Sequence, residues 1–241
     1  MTRCLALLLL LAAAVVRADS GAIARAEHAT ATGDFRLAVQ AYQQVVSQNG
    51  FSAPVLFNLG NAWLRLGKPG AAILQYERAL VLAPGNALIE SNLAVAQQRA
   101  GLTATPVGPW LAAARYFGFD TYLWTALAAL WVLCFALVLL CVRGAARRIA
   151  RPLIVVAALT LCVTADATAV CWPDLYRAVV VSAATLHLAP AESAAASGTL
   201  REGEVVWIER RYARFELVRT ADGHSGWVSD EEAVPVRVSR P

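Results

Sequence analysis

Asp166 is the one charged residue in the apolar run "PLIVVAALTLCVTADATAVCW", residues 152–172. An acid at such a place does one of two kinds of chemistry: it handles a proton or ion, or it pairs with a partner. Six residues separate it from Trp172, roughly 9 Å along a helix. Three readings are open: contact with interfacial water, a partner subunit, or local bonds to Thr164 or Thr168. Other reactive types are scattered. His28, His187 and His224 fall in different elements without metal-ligand spacing, and "DEE" at 230–232 reads as a solvated loop end. There is no glycine-rich phosphate loop, nucleophile elbow or carboxylate pair backed by histidine. No catalytic residue, metal site or cofactor is expected. Cys4, Cys134, Cys141, Cys162 and Cys171 all sit in apolar runs without a CxxC pair, so they read as small packing residues.

The elements around Asp166 follow from composition. Charged residues make up only 16 % of the 241-residue chain, against about 25 % in a typical globular domain. That deficit points to membrane segments. Residues 1–18 have Arg3, an apolar run too short to span comfortably, and Val16-Arg17-Ala18 before the break, the pattern of a signal peptide, with an uncleaved signal anchor as the alternative. Residues 121–142 carry no charge and form one span, and 152–172 form a second. Segment 103–120 reads as an interfacial linker. Between the spans, 143–151 holds Arg143, Arg147, Arg148 and Arg151 and no acid. Short arginine-rich loops stay cytoplasmic, so the expected path is out–in–out, with both ends of the mature chain facing the periplasm or exterior. The net charge of +4 comes from the signal and this loop. The soluble parts are slightly acidic and offer nucleic acid no basic footprint.

A repeat organises residues 19–102. Gly33, Gly67 and Gly101 are spaced 34 apart, as are Ala38 and Ala72, Tyr42 and Tyr76, and Asn58-Leu59 and Asn92-Leu93. The units are 19–52, 53–86 and a half unit, 87–102, each full unit two helices long. "LFNLGNAWLRLG…AAILQYERALVLAPGN" resembles the tetratricopeptide pattern. Gly60 and Ala72 mark where the paired helices approach closely. The resemblance implies a groove lined by the first helix of each unit: Phe57, Asn58, Asn61, Leu64 and Arg65, then Asn92, Val95 and Arg99. Asparagines there bind an extended peptide, or Asn58 and Asn92 only stabilise turns; both readings stand.

Residues 178–238 change to short β-rich runs separated by turn signals, among them Glu202-Gly203 and Ala221-Asp222-Gly223. Five or six such strands suit a small closed barrel, with Ala189 to Ser197 as a loop. "LREGEVVWIER…FELVRTADGHSGWV" resembles a bacterial SH3 domain. Trp207, Tyr212 and Trp227 are then either an aromatic binding strip or half core, half surface.

The fold class expected is thus a multidomain membrane protein: all-α tetratricopeptide hairpins, two transmembrane helices and a small all-β SH3-like barrel. That order of parts resembles the BatE-type proteins of bacterial aerotolerance operons. The resemblance implies a non-enzymatic scaffold working with membrane-anchored von Willebrand A-domain proteins and a MoxR-type ATPase. Two rivals are a peptidoglycan-binding accessory that recruits a wall-active enzyme, and a transport or sensing subunit using Asp166.

Overall fold

A computed structural model describes residues 21–103, 109–141 and 146–237. The expected signal peptide, Arg143 and residues 104–108 of the expected linker lie outside these residues. The chain divides into two compact units. One joins the described residues of Met1–Ala104 to those of Tyr176–Pro241; the other is Thr105–Leu175.

The first unit opens with five helices: α1 (residues 21–31), α2 (Phe35–Asn49), α3 (Ala53–Arg65), α4 (Pro69–Leu82) and α5 (Ala87–Arg99). The pairs α1/α2 and α3/α4 fall within the two expected units, and α5 within the expected half unit. Gly33, Gly67 and Gly101 all have φ between +70° and +80°. After α3 and α5 the amide of the glycine and that of the next residue turn back onto the last helical carbonyls: Gly67 to Leu64, Lys68 to Trp63, Gly101 to Gln98 and Leu102 to Gln97. These left-handed closures satisfy orphan carbonyls and favour glycine. The period of the glycines is therefore the period of the helix ends.

Helices α3 and α4 meet where the sequence placed the close approach. A Cβ at Gly60 would lie 2.6 Å from the Tyr76 ring, and Ala72 and Tyr76 are fully buried. The local loss of helix propensity, about 1 kcal/mol, is the condition for seating that ring.

Seven strands follow: β1 (Arg177–Val180), β2 (Ala184–His187), β3 (Ala196–Leu200), β4 (Val205–Tyr212), β5 (Phe215–Arg219), β6 (Ser225–Ser229) and β7 (Ala233–Pro235). All pairings are antiparallel, in the order β3-β2-β6-β5-β4-β1-β7. The sheet is not closed, which corrects the expected closed barrel: edge strands β3 and β7 do not pair with each other. It curls instead because β1 and β2, three residues apart, belong to opposite halves. Ala233 near one edge and Leu200 at the other share one core with Val206, Val218 and Val228. β3 replaces part of the expected loop at Ala189–Ser197. Its "ASGTL" has only one β-branched residue and a glycine, so strand propensity gave no signal. The Asp222-Gly223 hairpin is present, with Gly223 at φ +86°.

The second unit holds α6 (Pro109–Phe117), α7 (Phe119–Cys141) and α8 (Ala146–Cys171), followed by a 3-10 turn, Trp172–Tyr176. Helices α7 and α8 are long and apolar enough to cross a membrane. Their buried residues are small: Ala129 and Ala136 on α7, and Ala150, Ala157, Thr164, Ala167 and Cys171 on α8. Ala129–Ala136 and Ala150–Ala157–Thr164–Cys171 each recur every seven residues, the period of a left-handed helix pair. Large apolar side chains point outward, Trp131 at 72 % exposure and Phe135 and Leu159 both at 62 %. Cys134, Cys141 and Cys162 are exposed as well, so of the four cysteines described only Cys171 packs. Pro152 is not the first residue of its helix, as its position in the apolar run suggested. Helix α8 starts earlier, through Arg147, Arg148 and Arg151, and carries Pro152 inside, since arginine is a good helix former. Arg115 of α6 grips Asp174 with two bonds of 2.8 and 2.9 Å.

Candidate functional site

The candidate groove residues separate by what holds them. Leu64 is buried in the core and does not line an open face. Asn61 accepts a 2.8 Å bond from the Tyr76 hydroxyl through Oδ1. Half-buried Phe57 packs on the same ring at 6.0 Å between centroids. Burial pushes the Tyr76 phenol up to about 12, with the Arg99 guanidinium pulling it partly back, so it stays a neutral donor. Asn92 gives its Nδ2 hydrogen to the Leu88 carbonyl one turn back, at 2.8 Å, which is local helix chemistry. Asn58 is half-buried one repeat earlier.

An open surface remains. Arg65 is exposed, its guanidinium 5.7 Å from the Phe35 ring centre. Arg99, one repeat later, is exposed and reaches the Leu64 carbonyl at 3.3 Å. Val95 and Leu88 are exposed on α5, at 42 % and 59 %. Two cations at one repeat period beside two bare aliphatic side chains can receive an acidic or carboxylate-bearing segment with apolar side chains. Leu88 was missed because it aligns with Pro54 and falls outside the quoted pattern.

The opposite face of α4 is closed by the sheet. Glu77 and Arg177 form an ion pair at 2.9 Å with side chains 10 % and 11 % exposed. Arg78 Nη2 donates to the Pro235 carbonyl at 2.8 Å, and its guanidinium lies 5.6 Å from the Phe51 ring centre. Burial holds the Arg78 guanidinium below its usual value. The Glu202 carboxylate accepts from the Gly70 amide at 3.0 Å, completing the first turn of α4. In α2 that service is local, with Asp34 accepting from the Leu37 amide. The residue one repeat after Asp34 is Lys68, which makes no side-chain cap. A Cβ at Gly70 would lie 2.8 Å from the Val180 carbonyl oxygen, and one at Gly203 would lie 2.5 Å from Ile73. Val179 and Val236 of the sheet region share one buried cluster with Leu56, Ile73 and Ala96 of the repeats. The signal was present between copies: exposed Gln40, Gln43 and Gln44 of α2 align with Leu74, Glu77 and Arg78.

In the sheet, Trp207 and Trp227 are half-buried and alternate with the inward Val206, Ile208, Gly226 and Val228. Both therefore lie on the outer face, with Leu217 of β5 opposite Trp227. Tyr212 is 63 % exposed at the end of β4. Glu216 points inward and pairs with Arg211 at 2.9 Å. Burial raises its carboxyl above the usual range, Arg211 opposes this and Asp230 adds to it.

Asp166 is exposed on α8. Thr164 and Thr168 donate to the backbone carbonyls of Thr160 and Thr164, so their hydroxyl hydrogens are committed within the helix. His187 lies 2.9 Å from the Ala194 carbonyl. Among the described residues no group of three metal-ligating side chains comes together.

No curated protein matches this chain. Its residues 23–87 match the tetratricopeptide repeat family, whose members are typically non-catalytic modules that bind protein partners.

Proposed function

We propose that the protein is a non-catalytic membrane adaptor whose repeat face, Arg65, Asn92, Val95 and Arg99 with Leu88, holds a segment of a partner protein. The observation that carries this reading is the pair of exposed arginines one repeat apart, beside exposed Val95 and Leu88 on a helix stack with a packed core. Helices α7 and α8 anchor it: small residues at their contact and large apolar ones outside suit a lipid solvent. The signal-like start and the arginine-rich loop support a bacterial inner-membrane location with both soluble parts outside the cytosol. The sheet, SH3-like in its "GEVVWIER" and "GWV" segments, adds an aromatic outer face with Trp207, Trp227 and Tyr212. The likeness to BatE-type proteins supports von Willebrand A-domain proteins and a MoxR-type ATPase as the partners, in an envelope-stress system.

Affinity purification of the full chain in mild detergent tests this, comparing wild type with Arg65→Ala, Val95→Asp and Arg99→Ala. The expected result is recovery of A-domain and ATPase proteins by the wild type and a loss of roughly tenfold or more in the variants. Equal recovery by all four proteins refutes the groove. Retention by purified peptidoglycan instead would move the reading to the cell wall.

A further inference from the structure

The repeats and the sheet are far apart in sequence and meet in one core. We infer that the sheet is the stop cap of the repeat stack, and that this docking forces α7 and α8 to cross the membrane as a hairpin, with residues 21–103 and 176–237 on one face. The inference rests on the reading that these two helices span a bilayer.

A repeat stack ends safely only when its last exposed face is polar or covered. On α2 the corresponding face needs no cover, with Gln40, Gln43, Gln44 and Gln48 exposed. At the carboxyl end of the stack the second helix of the third unit is lacking: after α5 the chain turns at Gly101, and the next described helix, α6, belongs to the other unit. The sheet supplies the cover. Gly203 packs on Ile73, Leu102 and Ala100, while Val179 and Val236 enter the repeat core.

That cover cannot be assembled through a bilayer. Glu77, Arg177 and the valine cluster exclude water from both sides of one seam, so both sides of the seam fold in one compartment. A chain that leaves a compartment and comes back has crossed an even number of times, and two helices have the length. The connection between them, residues 142–145, then belongs on the other face together with the exposed Arg147 and Arg148.

Full-length protein in sealed vesicles tests the inference, with epitope tags inserted in turn at 104–108, at 142–145 and after the last residue. External protease should treat the first and third alike and the second oppositely. The first and third on opposite faces would overturn the inference. All three on one face would overturn the membrane reading beneath it. Docking itself is read by hydrogen exchange over residues 69–82. Arg177→Glu should speed exchange there by roughly tenfold or more, and Arg177→Glu with Glu77→Arg should restore protection. Unchanged exchange in the single variant would also overturn the cap.

Discussion

Replacing Glu77 with alanine removes one half of the ion pair that joins the repeats to the sheet. Its Oε1 lies 2.9 Å from Arg177, and both side chains are about nine-tenths buried. At an effective dielectric of about 20, two unit charges 4 Å apart interact by about 4 kcal/mol. Truncating one member of a buried pair typically costs about 3–5 kcal/mol, because the other charge stays desolvated. We expect a loss of about 3 kcal/mol for Glu77→Ala. Replacing both members, Glu77→Met with Arg177→Met, should cost far less, since an apolar pair of similar volume is often neutral. Arg219 and Glu209 provide the control: their 2.8 Å pair has side chains 52 % and 38 % exposed, so Glu209→Ala should cost about 1 kcal/mol or less. The assay is urea unfolding in detergent, followed by hydrogen exchange over residues 69–82. If Glu77→Ala costs no more than Glu209→Ala, the seam is solvated and the shared-core argument fails.

Gly60→Ala should destabilise the repeats by about 1–2 kcal/mol, because the clash with the Tyr76 ring outweighs the gain in helix propensity; a rise in melting temperature would refute this. Glu216 titrates above the usual carboxylate range in the folded state, so the native sheet binds its proton more tightly than the unfolded chain does. Stability from this group is therefore full at low pH and declines as pH rises through the window from the usual carboxylate value to the raised one. Glu216→Gln should flatten that decline in unfolding curves taken from pH 4 upward, and an unchanged slope would show that another group is responsible.

The repeat, both long apolar helices and most strands were legible because their signals are local or periodic. Gly33, Gly67 and Gly101 mark helix ends at a fixed interval, and the apolar runs at 121–142 and 152–172 need no tertiary context. The seam was not legible in that way. Its bonds join residues 100, 132 and 157 positions apart, and no periodicity reports such pairs. What the chain did offer was a comparison between copies, Gln40 against Leu74 and Asp34 against Lys68, which shows a surface in one repeat turned into a contact in the next. The burial of Leu64 and the bond that Tyr76 gives Asn61 were not legible for a related reason. The family pattern places the helix, while the side chains of Tyr76 and Arg99 decide which of its residues remain open.

Borrowing a helix cap from Glu202 also sets a timetable. Gly70 emerges from the ribosome 132 residues ahead of the carboxylate that satisfies its amide, an interval on the order of ten seconds at typical synthesis rates. Throughout that time Ile73 lacks its contact with Gly203, and the two long apolar helices are made before the missing group arrives. A nascent chain halted anywhere before the sheet should therefore be more open to proteolysis than the completed one.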